Sequence, residues 1–279
     1  MLWPKNMPEL PEVETVVRTL RPQIVGQSIR SLWTSGHSLR MARKLDKRRL
    51  QEACIGATIC AVRRRGKYIL IDFESGSGVL VHLGMTGRLT VADEGKERLK
   101  HTHVVWRLVR ERELRFVDAR RFGWVQASSG TDQLPEIRAL GPDPLTELDG
   151  GKLGAMLASS RAPIKTFLLD QHRLAGLGNI YVCEALFRAR IHPRTEACRA
   201  RGKAEALVSA IQETLEIGIA NCGTSFRDFV DATGAPGKNI DALLVYAREG
   251  EKCMACNGLV RRIVDAGRST FYCASCQRR

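Results

Sequence analysis

The first regular pattern of apolar positions predicts a helix near the start of the chain, in PEVETVVRTLRP (11–22). Four apolar side chains recur there at i, i+3, i+4 and i+7 and therefore share one helical face: Val13, Val16, Val17 and Leu20. Pro11 suits the first turn of a helix, where its missing N–H costs nothing, and Pro22 is expected to end the helix.

The next hundred or so residues change to short apolar runs that are typical of strands. Four such runs stand out: YILIDF (68–73), VLVHLG (79–84), HVVWRL (103–108) and ELRFVD (113–118). The ESGSG between the first two predicts a hairpin. We expect this half of the chain to be mostly β, as a sandwich or a flattened barrel.

Helical periodicity returns after LGPDPLTELDGG (140–151), whose Pro, Gly and acidic residues predict a linker. One helical face is formed by Leu207, Ala210, Ile211 and Leu215. EALFRAR (184–190) belongs to another helix, and residues 251–279 form a tail rich in Cys and Arg. The pattern predicts an α+β chain with a β-rich N-terminal domain, a helical domain and a terminal metal-binding module.

The composition is that of a basic globular protein of 279 residues, in which 44 Lys and Arg oppose 30 Asp and Glu for a net charge of +14. This excess favours a polyanionic partner, because neutralised phosphates release counterions. Charge alone leaves open nucleic acid, an anionic membrane or a basic surface with no partner.

The location of the protein follows from its segments and its thiols. No apolar run approaches the ~20 residues of a spanning helix, and MLWPKN (1–6) is too short and polar for a secretory signal. Five of the nine Cys show no pairing pattern: Cys54, Cys60, Cys183, Cys198 and Cys222. They are typical of thiols in a reducing compartment, so we expect a cytoplasmic protein with no membrane partner.

The other four cysteines form two CxxC pairs, with 16 residues between the pairs: Cys253, Cys256, Cys273 and Cys276. Two such pairs supply four thiolates for one tetrahedral Zn²⁺. The stretch between them (257–272) predicts a β-hairpin held by the metal. A closed site of this kind folds the tail and leaves no open position for chemistry.

A glycine-rich turn precedes a predicted helix in RLAGLGNIYVCEALFRARIHP (173–193). A turn that leads into a helix N-terminus presents free backbone N–H groups, which suit a phosphate. Asn179 could cap that helix or donate to a phosphate, and by itself capping is the more common role.

Taken together, the separated motifs resemble the formamidopyrimidine-DNA glycosylase family, which includes the endonuclease VIII-like proteins. The matching stretches occur in the family's order: MPELPEVETV (7–16), RRRGKYILIDF (63–73), HLGMTGRL (82–89), HTHV (101–104), DARRFG (118–123), LGPDPL (140–145), GLGNIYVCEALFRARIHP (176–193), GAPG (234–237), LLVYAREG (243–250) and the CxxC pairs with GRSTFYC. The Leu of PELPE resembles the formamidopyrimidine branch rather than the endonuclease VIII branch.

The resemblance implies a domain organisation and a partner. It implies a catalytic β-sandwich with an N-terminal helix at 8–139, a linker at 140–151, a helical DNA-binding domain with a helix–two-turn–helix motif at 152–248, and a β-hairpin zinc finger at 249–279. The implied partner is double-stranded DNA with oxidised bases. We expect a monomer that associates with the nucleoid if the host is bacterial.

The implied catalytic groups begin at the N-terminus. The resemblance implies that the amine of Pro8 attacks the sugar carbon C1′ of a flipped nucleotide. Glu9 moves a proton to the sugar oxygen as the ring opens, and Glu12 is a second, supporting acid. Without the resemblance, both acids would be explained by their favourable place at a helix N-terminus. Lys67 is implied in β-elimination and Arg268 in δ-elimination.

Further residues match DNA contacts of the family. The resemblance implies that Met85, Arg120 and Phe122 fill the gap left by the flipped base, with His101, Arg161 and Asn179 as further contacts. Core packing would otherwise explain Met85 and Phe122, and a satisfied polar residue would explain His101.

Two departures from the family pattern bear on function. Residues 1–7 would block the amine of Pro8, so we expect translation to start at Met7 and the mature protein to lack this extension. N-terminal proteolysis is a second route to the free amine, and an inactive enzyme that still binds DNA is a third possibility. In addition, Lys238, Asn239 and Ile240 follow GAPG where the family has an aromatic residue, and Ala247 replaces a usual Gly.

The function implied is excision of oxidised purines, namely 8-oxoguanine and formamidopyrimidines, from duplex DNA, followed by β,δ-elimination. The alternatives are an oxidised-pyrimidine glycosylase of the same family and a non-catalytic lesion-binding protein with a blocked Pro8.

Overall fold

The computed structural model describes residues 7–39 and 45–278, which form two compact units. The N-terminal unit comprises Met7–Ala139 together with Asn221–Lys238, and the C-terminal unit comprises Leu140–Ala220 together with the chain from Asn239 onward. The sequence places 221–238 inside the helical domain, whereas its contacts group it with the β-rich unit. No helix in the described ranges is long and apolar enough to cross a membrane.

In its described residues, the N-terminal unit contains two antiparallel four-stranded sheets and three α-helices. Its helices are α1 (Leu10–Ile24), α2 (Lys47–Cys54) and α3 (Pro135–Arg138). Its strands are β1 (Ile29–Thr34), β2 (Ile59–Arg65), β3 (Tyr68–Phe73), β4 (Gly78–His82), β5 (Gly87–Asp93), β6 (Thr102–Leu108), β7 (Arg112–Asp118) and β8 (Trp124–Ser128). The strand orders are β1-β6-β7-β5 and β2-β3-β4-β8.

The predicted helix at the start of the chain is present, but it does not end at Pro22. Helix α1 continues to Ile24 with Pro22 inside its last turn. The proline is tolerated because only one N–H is missing there, and Val25 N–H still bonds Arg21 O at 3.1 Å. The apolar face of α1 is fully buried and packs into one core with both sheets, including Val62 and Phe116. This core confirms the predicted β-rich half.

The C-terminal unit is helical and ends in a two-stranded hairpin. Its helices are α4 (Gly150–Ala158), α5 (Ile164–Leu169), α6 (Asn179–Arg188) and α7 (Ala204–Ala220), and its strands are β9 (Val260–Asp265) and β10 (Arg268–Cys273). The hairpin turns at Ala266 and Gly267, which both have positive φ, of 46° and 71°. Positive φ at both central residues is the type I′ geometry that matches the twist of paired strands.

Candidate active site

The N-terminus of α1 holds the predicted nucleophile and its neighbouring acids. Pro8 is buried, and Glu9 is the N-cap residue, with 3 % of its surface exposed. Glu9 and Glu12 form a capping box in which Glu9 N–H donates to Glu12 Oε2 at 2.9 Å. A capping box satisfies helix N–H groups that otherwise lack partners, so the backbone that carries Pro8 is firmly placed.

Segment 221–238 makes hydrogen bonds to helix α1 at two positions, Glu12 and Thr19. Thr224 N–H donates to Glu12 Oε1 at 2.7 Å, so the Glu12 carboxylate bridges the helix cap and the segment. Further along, Ala232 N–H donates to Thr19 Oγ1 at 3.1 Å, and Ala232 O accepts from Val91 N–H at 2.9 Å. The GAPG motif therefore belongs to a segment docked on α1 and β5.

Lys67 occupies the two-residue turn between β2 and β3, where Arg65 pairs with Tyr68. Gly66 has a φ of +55°, the glycine position that such a turn requires. Beside the turn, Arg64 Nε donates to Glu14 Oε2 of α1 at 2.9 Å. Burial by itself would raise the pKa of Glu14, but the hydrogen bonds from Arg18 and Arg64 outweigh it and lower that pKa. An ionic contact thus joins the hairpin that carries Lys67 to α1, the helix that follows Pro8 and Glu9.

The three predicted gap-filling residues, Met85, Arg120 and Phe122, lie together at the surface of the N-terminal unit. The Arg120 guanidinium carbon lies 4.4 Å from the centre of the Phe122 ring, and Arg120 Nη1 lies 3.3 Å from Met85 Sδ. Two loops bring them together, one after β4 and one after β7. The loops touch backbone to backbone, since a Cβ on Gly84 would lie 2.5 Å from the Phe122 carbonyl carbon.

The two histidines of HTHV have different environments. His101 is exposed in a turn with a φ of 67°, and its carbonyl accepts from Asp118 N–H at 3.0 Å. His103 is buried, with Nδ1 3.0 Å from Ser35 Oγ and Nε2 3.0 Å from Asp118 O. Burial lowers the pKa of His103, so the neutral ring donates from Nε2 and accepts from Ser35. Sequence reasoning singled out His101 and missed the structural role of His103.

In the C-terminal unit, Asn179 does not cap its helix. The N-cap of α6 is Gly178, and Asn179 Nδ2 donates to Ser269 O at 2.9 Å. The buried Lys165 donates from Nζ to the same carbonyl at 3.1 Å and to Thr270 Oγ1 at 2.6 Å. Helices α5 and α6 therefore both bind the backbone of Ser269, the residue that follows Arg268. The side chain of Arg268 itself is exposed beside the hairpin turn. Arg161 is exposed in the loop between α4 and α5.

Glu184 of α6 is a buried acid that binds the backbone of residues 244–246, which precede the hairpin in the chain. Its carboxylate accepts from the N–H groups of Leu244, Val245 and Tyr246 at 2.8, 2.9 and 2.8 Å. Burial raises the pKa of Glu184, while the three N–H donors act in the opposite direction. Sequence reasoning missed this residue as well as Lys165.

The four C-terminal cysteines converge, with all four sulfurs within 4.8 Å of one another. Cys253 Sγ lies 3.9 Å from Cys276 Sγ, and Cys256 Sγ lies 3.5 Å from Cys273 Sγ, too far for disulfides. Four sulfurs about 2.3 Å from a central metal would lie about 3.8 Å apart in a tetrahedron. The backbone N–H of Gly258 helps lower the pKa of Cys256 to about 7, whereas burial raises the pKa of Cys253 and of Cys276. The donor set therefore fits one structural metal ion.

Family models match almost the whole chain. The formamidopyrimidine-DNA glycosylase N-terminal domain matches residues 7–125, the H2TH domain of the same enzyme matches 140–230, and a zinc finger found in FPG and IleRS matches 250–279. Formamidopyrimidine-DNA glycosylases of Marinobacter nauticus and Gluconobacter oxydans are each 43% identical to this chain, with 98% of the chain and 100% of the relative covered.

The chain belongs to the formamidopyrimidine-DNA glycosylase family. Members of this family are DNA glycosylases with AP lyase activity, so this protein is an enzyme of DNA repair. The Lactococcus lactis enzyme, in a mutant form bound to DNA that contains Fapy-dG, has a TM-score of 0.89 and 36% identity, with 98% of this chain and 100% of that chain covered. A MutM bound to DNA with carbocyclic 8-oxo-G has a TM-score of 0.88 and 35% identity, with 98% and 100% covered.

Within this glycosylase, the predicted residues divide between the two units. The N-terminal unit contains Pro8, Glu9, Glu12, Lys67, Met85, His101, Arg120 and Phe122. The C-terminal unit contains Arg161, Asn179, Arg268 and the four clustered cysteines. The fold confirms the predicted α+β class, with a β-rich unit, a helical unit and a four-cysteine hairpin, while the role of each residue stays a prediction.

Proposed function

We propose that this protein excises oxidised purines, 8-oxoguanine and formamidopyrimidines, from duplex DNA and then nicks the strand by β,δ-elimination. The observation that carries the proposal is the placement of Pro8 directly before the capped, buried N-terminus of α1. A proline held there and freed of residues 1–7 presents a secondary amine in a fixed position. The solved relatives that contain Fapy-dG and carbocyclic 8-oxo-G DNA support the choice of lesion.

The glycosylase step uses the Pro8 nitrogen as nucleophile. Its lone pair forms a bond to C1′ as the glycosidic bond breaks. The base leaves with the bonding electrons and takes up the proton that the nitrogen loses, which restores the lone pair on the nitrogen. The nitrogen then forms a double bond to C1′ while the C1′–O4′ bond breaks, and Glu9 supplies the proton that O4′ needs. An α-amino group has a reference pKa of ~7.7–8.0, so an appreciable fraction is unprotonated at neutral pH.

The lyase step uses the same iminium ion. The positive nitrogen makes the C2′ hydrogens acidic, so loss of one proton expels the 3′ phosphate, and a second elimination expels the 5′ phosphate. We assign Lys67 to proton donation or phosphate contact in the first elimination. Arg268 is assigned to the second elimination and to phosphate binding, which its exposed place at the hairpin turn suits. The product is a one-nucleotide gap.

Excision from duplex DNA requires a flipped nucleotide, and the gap that this nucleotide leaves in the base stack must be filled. Met85 and Phe122 supply apolar surface that separates the base step. Arg120 hydrogen-bonds the unpaired partner base. Their mutual contacts within 4.4 Å support a joint action, because a gap the size of one base needs a contiguous wedge. We assign His101, Arg161 and Asn179 to the DNA backbone.

The metal of the four-cysteine cluster is proposed to be Zn²⁺. Sulfur spacings of 3.5 and 3.9 Å match a tetrahedral tetrathiolate site, and a Zn²⁺ bound there supplies folding energy to the hairpin rather than chemistry. This Zn²⁺ would be held by the side chains of Cys253, Cys256, Cys273 and Cys276. In this way the metal holds the strand that carries Arg268.

The proposal is tested by borohydride trapping, with intact mass measured first. Native protein whose mass corresponds to an N-terminal Pro8 should give a covalent complex with 8-oxoguanine duplex, and Pro8→Ala, which replaces the secondary amine by a primary one, should trap far less. Thymine-glycol duplex in competition tests the oxidised-pyrimidine alternative. Protein that begins at Pro8, binds lesion DNA and yet is never trapped would be a binding protein and not this enzyme.

A further inference from the structure

We propose that Asp118 is the positioning residue of the gap-filling trio Met85, Arg120 and Phe122, and that it acts through its carboxylate. The inference rests on the proposed function, since it concerns how the duplex is held open during excision. Asp118 is the last residue of β7 and is fully buried, with 0 % of its surface exposed. It does not touch the DNA in this proposal and is not a catalytic residue.

The carboxylate connects the two loops that carry the trio. Asp118 Oδ1 accepts from the Thr86 hydroxyl in the loop after β4 and, at 3.2 Å, from Arg120 N–H in the loop after β7. Asp118 Oδ2 accepts from Gly123 N–H at 2.8 Å. Thr86 Oγ1 also accepts from Arg120 N–H at 3.1 Å, so both loops share one network.

Each of the three residues bound to Asp118 is a member of the trio or directly follows one in the chain. Thr86 directly follows Met85, the N–H of Arg120 is itself bound, and Gly123 directly follows Phe122. The Asp118 side chain therefore binds at, or directly next to, each member of the trio. A side chain that must enter a base stack loses less entropy on insertion if its backbone is already held, which is the advantage of pre-organisation.

The backbone of Asp118 is held as firmly as its side chain. Its N–H donates to His101 O at 3.0 Å, and its carbonyl accepts from His103 Nε2 at 3.0 Å and from Arg121 N–H at 3.3 Å. The neutral His103 ring is fixed on its other side by Ser35 Oγ at 3.0 Å. The carboxylate thus projects from a rigid strand end and defines where the two loops lie.

The chemistry of the network requires a carboxylate at this position. Burial of a charged carboxylate is costly unless hydrogen bonds compensate it, and here the compensation comes from a hydroxyl and two backbone N–H groups. All three are donors toward Asp118, so an acceptor-only side chain fits every contact. An Asn at this position would replace one of the two carboxylate oxygens by an NH₂ group, which is a donor. That NH₂ would face either the Gly123 N–H or the donors of Thr86 and Arg120, so donor would meet donor.

The test compares Asp118→Asn with Glu113→Gln, which neutralises another buried carboxylate of the same strand. Glu113 is bound to side-chain cations, with Arg115 at 2.8 Å, and makes no contact in the trio's network. Each variant is assayed on an 8-oxoguanine duplex and, by borohydride trapping, on a single-stranded oligonucleotide with an abasic site. The single strand has no stack to fill, so it reports the Pro8 chemistry without the trio.

We expect Asp118→Asn to lower kcat/KM on the lesion duplex by about 10- to 100-fold, the effect of one buried donor left unsatisfied. Trapping on the single strand should remain at the wild-type level. The rise in fluorescence of a 2-aminopurine beside the lesion, which reports opening of the base step, should be lost. Glu113→Gln should keep both the duplex rate and the fluorescence rise.

A second, milder variant covers the case in which Asp118→Asn folds poorly. Thr86→Val removes one donor and should give an intermediate loss on the duplex, and the double variant should be no worse than Asp118→Asn alone, because both act through one network. Equal losses on duplex and single strand, or an unchanged fluorescence rise, would overturn the inference. If the wild-type protein itself traps neither substrate, the proposed function fails instead.

Discussion

Gly84 allows the two loops of the gap-filling trio to touch, and its replacement by Ala should disrupt this contact. Its φ is +62°, a conformation that a residue with a Cβ rarely adopts. The added Cβ would lie 2.5 Å from the Phe122 carbonyl carbon and closer still to Gly123 N. Both neighbours are backbone atoms, so no rotation of a side chain can relieve the clash.

The expected cost has two parts. A residue with a Cβ in the left-handed region costs about 1–2 kcal/mol. Extra volume in a packed site costs about 1–3 kcal/mol more. We therefore expect Gly84→Ala to lower the free energy of unfolding by about 2–5 kcal/mol, which for a unit of this size corresponds to a fall in Tm of about 4–20 °C.

The matched control is Gly76→Ala in the turn between β3 and β4. Gly76 also has a positive φ, of +82°, but among the described residues nothing beyond its two chain neighbours lies within 4 Å of where its Cβ would be. Gly76→Ala should therefore lower the free energy of unfolding only by the about 1–2 kcal/mol that a Cβ costs in the left-handed region. Urea denaturation of both variants, followed by tryptophan fluorescence, should show a further loss of about 1–3 kcal/mol for Gly84→Ala. Equal losses in the two variants would refute the argument from close approach.

Three further predictions follow from the site. Glu9→Gln should retain affinity for lesion duplex but lose borohydride trapping, as measured by gel shift and covalent complex on the same samples. Removal of the metal by a chelator should unfold residues 249–278 and weaken DNA binding, with one Zn²⁺ released per chain by mass spectrometry. Burial lowers the pKa of His103, so the unfolded state gains the proton first and stability should decline as the pH falls below ~6.5. His103→Gln should flatten this decline in urea titrations between pH 7 and 5.

Elements with a complete local pattern were predicted well from the sequence. The run at 68–73 is β3 residue for residue, and α7 contains the predicted face of Leu207 and Leu215. Helix α2 was missed because only Leu50 and Cys54 of its eight residues are buried, too few to produce a periodic signal. Strand β2 was not recognised by pattern either, since three consecutive arginines occupy its end.

Buried polar residues were harder to predict than strands. Asp118 stood inside the quoted DARRFG motif, yet its role depends on Thr86, 32 positions earlier in the chain. Lys165 similarly binds Thr270, 105 positions later. Asn179 had the sequence of a capping residue, but tertiary contact with Ser269 determined its orientation instead. A motif identifies which residues matter, whereas their partners depend on how distant segments meet.

The hydrogen bonds of Glu12 to distant and neighbouring backbone change how its predicted role as an acid is interpreted. The resemblance implied a supporting acid, and the structure commits one carboxylate oxygen to Glu9 N–H at 2.9 Å and the other to Thr224 N–H at 2.7 Å. Taking up a proton would weaken an acceptor that already holds two backbone donors. We therefore expect any support by Glu12 to be geometric, since its carboxylate accepts from the backbone of Glu9 and from that of segment 221–238. Because one carboxylate makes both contacts, we expect a movement of that segment to displace Glu9, which directly follows Pro8.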